Sequence, residues 1–378
     1  MSSVTKLVES FSVFEPLDDP RAPNSLHPLL SLIAIAVCAT VAGCDSYADV
    51  ERFARMRRHW FAEFLDLPQG IPSHDTFSRV FARLDTAQFF LCVQCWLSAV
   101  SDSLDGQTVA IDGKTLRGSF DNAAGRSPLH LVSAWACGQR LSLGQIAVDQ
   151  KSNEITAVPQ LLELLELRGA VVTLDAMHCQ RETAQAIVAR EAEYVITLKD
   201  NQPTLLADVS AHFIDLAERD YSPTEVKRHK TVEKSHGRWE RREYYVCQLP
   251  ESLRRKHRWS GLRTIGMVYR ERTTGEAVQT ETSYFISSLP ARVRTLSKHV
   301  RDHWGIENRL HWSLDVTFSE DRSRIRKGDG PEIAATLRRL ALSIVQQDTT
   351  LKESLRGKRL MAGWNEKVLA RMITAFGR

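Results

Sequence analysis

No stretch of this 378-residue chain is compositionally biased, and its 19 glycines and 13 prolines are scattered. That excludes collagen-like, coiled-coil and disordered classes and leaves a globular chain. A long apolar run is also missing. The longest, Leu29 to Gly43, sits between His27 and Asp45, short of the roughly 20 residues a bilayer span needs, and so reads as a buried helix. With no signal-peptide pattern at the start, a cytoplasmic protein without membrane association is expected. Cysteine is sparse. The seven are odd in number and lie mostly in apolar runs such as Ile35 to Cys38, which reads as reduced core thiols. Only Cys92 and Cys95 form a C-x-x-C, on one apolar face of a helix and with no second pair at zinc-ribbon spacing. Walker A, G-x-G-x-x-G and G-x-S-x-G patterns are all missing. Net charge is nearly missing too, 50 Lys+Arg against 46 Asp+Glu giving +4. At roughly 150 residues per domain the length suits two or three cores.

What is present changes along the chain. The first hundred residues carry helical periodicity over 29–42, 45–64, 73–84 and 87–104, with Ser73 as N-cap after the Gly70-Ile71-Pro72 break. Arg52, Arg55, Arg57, Arg58 and His59 make the second helix basic. It is either a DNA-reading element or a solvated face. From Gln107 the pattern becomes βββαβαβ, with strands at 108–111, 129–136, 143–148, 171–174 and 194–197 and helices at 156–168 and 181–191. A mixed sheet flanked by helices is expected. A helix over 204–219 leads into strand-like runs at 243–247, 264–268 and 282–286, and helices return from about Leu296, including 333–345 and 366–375.

Two strands end alike, Val109-Ala110-Ile111-Asp112 and Val172-Thr173-Leu174-Asp175. If they are adjacent and parallel, both aspartates emerge at one sheet edge, where open α/β sheets bind ligands. The other reading makes Asp112 a turn residue and Asp175 a helix cap. Further on, His299, His303, Glu307 and His311 recur every four residues on one helix, opposite Val300, Trp304, Leu310 and Leu314. Zinc binding by the histidines lacks the required His-Glu pair, and a solvent face seldom carries two tryptophans and three histidines. Three carboxylates without clustered thiol or imidazole ligands suit Mg2+, with Mn2+ able to substitute, and two-metal phosphodiester chemistry.

The positive charge is local. From Glu225 to Glu276 there are fourteen Lys+Arg and seven Asp+Glu, so this segment is +7 and the remainder −3. Trp239, Tyr244, Tyr245, Trp259, Tyr269, His229, His236 and His257 are interleaved, a mixture suited to phosphate neutralisation and base stacking. Arg322, Arg324, Arg326 and Lys327 add a second patch beyond the Glu307 helix.

Four motifs in order, Ile111-Asp112-Gly113-Lys114, Leu174-Asp175-Ala176-Met177-His178, Thr197-Leu198-Lys199-Asp200-Asn201-Gln202 and His303-Trp304-Gly305-Ile306-Glu307-Asn308, together resemble the DDE transposases of bacterial insertion sequences, in the branch containing the H-repeat-associated proteins. Residues 15–97 resemble that branch's associated N-terminal domain and 109–348 its catalytic domain. The resemblance implies a ribonuclease-H-like mixed sheet with flanking helices, interrupted by a β-rich insertion, and an all-helical N-terminal domain. The division expected is 1–104, 105–348 with the insertion at about 204–296, and a helical tail at 349–378. It implies Mg2+-dependent cleavage at the ends of the element and strand transfer into double-stranded target DNA by a homo-oligomer. A nuclease without strand transfer and a degenerate DNA-binding relative are the alternatives. Carried over by position, Asp112, Asp175 and Glu307 are the metal-binding triad, and Lys114, Lys199, Asn201, His303 and Arg324 are expected to contact DNA or the transition state. Where related transposases place Tyr, Arg and Lys around the glutamate, this chain has Val300, His303 and Leu314. Asp315, Glu320 and Asp321 compete for the third acidic place, and the Trp-x-Ile spacing selects Glu307.

Overall fold

The computed structural model describes residues 3–121, 125–148, 154–222, 224–235 and 237–376. After α1 (Ser3–Phe11), the apolar run becomes α2 (Leu29–Val41), buried from Ser31 to Val41 because it is apolar all round. Side-chain caps start the next long helices. Ser46 accepts from Asp49 N–H ahead of α3 (Tyr47–Met56), Ser73 from Thr76 N–H ahead of α5 (His74–Phe81), and Asp85 from Gln88 N–H ahead of α6 (Thr86–Ser98). The single helix expected over 45–64 is broken at Arg57, whose guanidinium turns to the Gly363 carbonyl, and only the short α4 (Arg58–Phe61) follows. Residues 99–104 leave the expected helix because the chain turns aside there, Asp102 N–H donating to Gln139 at 2.9 Å.

Nine strands make one sheet, ordered β3-β2-β1-β4-β5-β9-β8-β7-β6. In chain order they are β1 (Thr108–Thr115), β2 (His130–Ala136), β3 (Leu141–Val148), β4 (Val171–Leu174), β5 (Glu193–Leu198), β6 (Lys227–Ser235), β7 (Arg238–Gln248), β8 (Thr264–Thr274) and β9 (Ala277–Ser287). The first three form an antiparallel meander, and β1, β4 and β5 run parallel. The β-rich insertion continues this sheet, β9 pairing antiparallel with β5 and the other three following as a meander. Its first strand, Lys-Arg-His-Lys-Thr-Val-Glu-Lys-Ser, has no apolar alternation and was not expected from sequence. It forms the outer edge, where lysines blunt further pairing.

Side-chain alternation gives the sheet two buried faces. Val109 and Ile111 join Leu161 of α7 (Glu154–Glu163), Ile187 of α8 (Arg181–Ala189) and Val209 of α9 (Pro203–Glu218). Ala110 and Trp135 look the other way. Beyond α10 (Glu251–Lys256), which links β7 to β8, come α11 (Val293–His303), a π-helical turn (Ile306–His311), α12 (Trp312–Thr317) and α13 (Gly330–Gln347). Ile306, Leu310, Leu314 and Leu340 pack with Ala110 and Trp135, in a core shared with Ile35, Phe77 and Trp96 from the first helices. The same core holds Leu369 and Phe376, from α15 (Glu366–Ala375) and just beyond it, and α14 (Leu355–Trp364) contributes Ala362.

One glycine locks these regions together. Gly328 has φ of +55°, and a Cβ there would lie 2.0 Å from the carbonyl oxygen of Ala82, just past α5. Gly328→Ala should therefore cost roughly 2–4 kcal/mol, from left-handed backbone and backbone-to-backbone overpacking. Gly275→Ala, at φ +59° with nothing within 4 Å, should cost only about 1 kcal/mol. Urea unfolding compares the two, and equal losses would contradict the close-approach account.

Candidate active site

The β1–β4 register aligns Ile111 with Leu174, so the next residues, Asp112 within β1 and Asp175 just past β4, lie side by side where the parallel pairing ends. Asp175 caps nothing with its side chain, and among the described residues Asp112 Oδ1 accepts only the adjoining Gly113 N–H at 2.9 Å. Capping therefore does not explain the pair. Burial, then the like charges of Asp175 and Glu307, push the Asp112 carboxyl up to about 6. Asp175 moves down instead, because a hydrogen bond from His303 outweighs burial. His303 Nε2 lies 3.1 Å from Asp175 Oδ1 and Nδ1 3.0 Å from Thr173 Oγ1. With Nε2–H donated to the carboxylate, Nδ1 accepts the threonine hydroxyl.

The segment carrying Glu307 runs along the β1 face that shows Thr108, Ala110, Asp112 and Lys114. His299 Nδ1 lies 2.8 Å from the Thr108 hydroxyl, and burial holds this imidazole neutral, down at about 4. His311 Nδ1 lies 3.5 Å from Asp112 Oδ2. Burial, then Arg339 and Lys114, push His311 down to about 3, so it too is neutral. The expected continuous helix is interrupted after His303 and resumes through the π turn, with Glu307 exposed in its first part. Trp304, expected on the apolar side, is 42% exposed beneath the Arg270 guanidinium. Among the described residues no three His, Cys, Asp or Glu side chains are grouped to hold a metal ion jointly. Asp112 feels the charges of Asp175 and Glu307 across the edge, and His303 and His311 reach the aspartates directly.

Two cavities adjoin this edge. One of about 160 Å3 is lined by Asp175, Lys199, Arg270, His303 and Trp304. The second, about 600 Å3, meets Glu307 and is walled by Arg238, Arg242, Arg270, Arg272, Arg301 and Arg309, partly offset by Glu233, Glu240 and Asp302. The charge count along the chain located this basic segment but not its facing. That follows from pairing, Arg242 lying opposite Arg270 and Glu240 opposite Arg272 on one side of the sheet.

A family model for the transposase DDE domain matches residues 103–344, and a model of its associated N-terminal region matches 11–97. The chain belongs to the DDE transposase family. It is 33% identical to the "H repeat-associated putative transposase YhhI" of Escherichia coli K12 over 98% of both chains. It is 34% identical to the "putative transposase YncI" of Escherichia coli O157:H7, covering 97% of this chain and 95% of that one.

Elsewhere in the transposase, several residues expected near DNA are engaged within the protein. Lys114 is bound by Asp315 and Glu320, and its side chain is only 9% exposed. Asn201 donates to the Ala176 carbonyl at 2.6 Å, and Gln202 to that of Cys179 at 2.9 Å, so both hold the loop after Asp175. Lys199 faces the smaller cavity, and Arg324 is exposed between α12 and α13. Glu320 is wholly buried against Arg339, and Asp321 lies near Arg117. Of the interleaved aromatics, Tyr244, Tyr245 and Trp259 belong to the core, whereas Trp239 is 51% exposed beside Lys234. His257 is buried against Asp208, His229 stacks on Tyr244, and His236 lies outside the described residues. All seven cysteines are unpaired, and no helix of the described residues is long and apolar enough to cross a membrane.

Proposed function

We propose that this transposase cleaves phosphodiester bonds at the ends of its element with the help of divalent ions and joins the freed 3′ hydroxyl to target DNA. The observation that carries the reading is the placement of Asp112 beside Asp175 where the β1–β4 parallel pairing ends, at a cost that appears in the raised pKa of Asp112, from burial first and then the neighbouring charge. A cation there would remove that cost, and an all-oxygen pair suits Mg2+ or Mn2+. Asp112 and Asp175 would hold the ion, with Glu307 entering from the π turn. A bound divalent ion supplies polarisation of the phosphoryl oxygen and activation of the attacking hydroxyl or water. His303 keeps the Asp175 carboxylate ionised and oriented, and the arginine-walled cavity beside Glu307 would take the phosphate backbone. We assign the helical part at 1–104 to DNA-end binding, 105–348 to catalysis and 349–378 to the tail. Of the basic residues of the expected second helix, Arg52 and Arg55 are exposed but paired with Asp49 and Glu51, Arg57 turns to the Gly363 carbonyl, and Arg58 and His59 are exposed with no ion pair among the described residues. A cytoplasmic homo-oligomer holding two ends on DNA fits this reaction.

The test is cleavage and joining of DNA carrying the element's ends, with Mg2+, Mn2+ or EDTA. Cut and joined products are expected with either metal and none with EDTA, while binding weakens steeply with salt. Metal-independent cutting would overturn the metal assignment. Cutting without joining of precut ends would identify a nuclease, and binding without cutting a DNA-binding relative.

A further inference from the structure

Lys114 follows Asp112 by two residues on β1, so the two side chains share a face. Its ammonium is bound by Asp315 and, at 3.0 Å, by Glu320. Beyond Glu320, Arg339 of α13 donates to the other carboxylate oxygen at 2.7 Å, with its side chain 4% exposed and that of Glu320 0%. Asp315 lies in α12, directly after the π turn that carries Glu307. A single lysine thus ties the strand of Asp112 to the element that follows Glu307, in an ionic network that is buried at Glu320 and Arg339 and partly exposed at Asp315.

The π turn is the part of this segment that most needs fixing. π geometry is uncommon and survives where surrounding contacts hold it. At its start the segment is held by the Thr108–His299 hydrogen bond, and at its end by Lys114. Between them His311 packs against Asp112, its buried Nε2 having no hydrogen-bond partner among the described residues. We propose that Lys114 is a positioning residue, which through Asp315 and Glu320 sets the register of the π turn and so aims Glu307 at Asp112 and Asp175. This assignment rests on the metal-dependent cleavage reading. It replaces a DNA contact for Lys114, because the ammonium is already held by two carboxylates on a side chain only 9% exposed.

The experiment compares Lys114→Met and Lys114→Arg in the full chain, measuring kcat, KM for DNA, DNA affinity in EDTA, and the rise in melting temperature on adding Mg2+. Lys114→Met should lower kcat roughly 10–100-fold, as loss of a group supporting a metal ligand does, and shrink the Mg2+-induced rise. DNA affinity in EDTA should stay within about twofold, and arginine should restore most of both losses by bridging the same carboxylates. A fall in DNA affinity with kcat unchanged would make Lys114 a DNA contact and overturn the assignment. So would a lower melting temperature with kcat and the Mg2+ response intact. If Lys114→Met does not fold, Asp315→Asn, at a partly exposed partner, must show the same pattern. If the wild-type chain does not cleave in Mg2+, the cleavage reading fails by itself, and an undiminished Mg2+ response in Lys114→Met would still overturn the clasp.

Discussion

Asp112→Asn should remove roughly three orders of magnitude or more of cleavage activity while making the metal-free protein more stable at pH 7. The two effects share a cause. Folding raises this carboxyl from an ordinary 3.8 to about 6, through burial first and then the charges of Asp175 and Glu307. A group that binds its proton more tightly when folded favours the fold at low pH and loses that contribution as pH rises through the window from 3.8 to about 6. At pH 7 the penalty is fully present, on the order of 3 kcal/mol at most. Asparagine keeps the oxygen that accepts Gly113 N–H and drops the charge, so a gain of about 1–2 kcal/mol, or a few degrees in melting temperature, is expected. Thermal unfolding in EDTA beside a cleavage assay checks both. If Asp112→Asn melted lower than wild type, the turn reading of the Asp-Gly pair would regain its place.

The sheet edge was legible because the chemistry there is local to the strands. Apolar β-branched runs ending in aspartate at 112 and 175 required only a parallel pairing to bring the two together, and β1 and β4 supply it. The Glu307 segment was less legible, since a four-residue recurrence assumes an unbroken 3.6-residue helix. The π turn shifts the phase, which leaves Glu307 exposed and buries His311 behind Asp112, while Trp304, at the end of α11 before that turn, already faces outward. Edge strand β6 escaped notice because the apolar signal that marks strands is weakest where one side has no neighbour. The partners of Lys114 and Asn201 within the protein were illegible for a different reason. A cation or amide inside a family motif reads as a ligand contact, and only tertiary structure shows that its partner is a carboxylate more than two hundred residues away or the carbonyl of Ala176. The same holds for the aromatics of the basic segment, whose composition suits base stacking although strand alternation sends Tyr244 and Tyr245 to opposite cores of the sheet.

Glu320→Ala should be among the most destabilising single changes in the transposase, at about 3–5 kcal/mol, because it removes the anion from a buried cluster and leaves its cations uncompensated. Arg339 and Lys114 touch Glu320 directly, and Arg338, 4% exposed, lies close enough to influence it. Burial by itself would raise the Glu320 carboxyl, but Arg339, Lys114 and Arg338 outweigh burial and hold it at about 2. Among the described residues Asp315 is bonded to Lys114 alone, and burial, with Asp321 and Glu320 nearby, pushes its carboxyl up despite that bond. Glu320 is the carboxylate that touches both Lys114 and Arg339. A carboxyl whose folded value is depressed stabilises the fold above its ordinary value of 4.5, and the contribution is lost as pH falls towards about 2. Urea midpoints for the wild-type chain should accordingly drop between pH 4.5 and pH 2 by more than those of Glu320→Gln, which is already weakened at neutral pH. Glu320→Gln keeps the shape and loses the charge, so a loss at pH 7 as large as that of alanine would assign the effect to charge. A loss below about 1 kcal/mol for both variants would mean that water reaches the cluster and screens its cations.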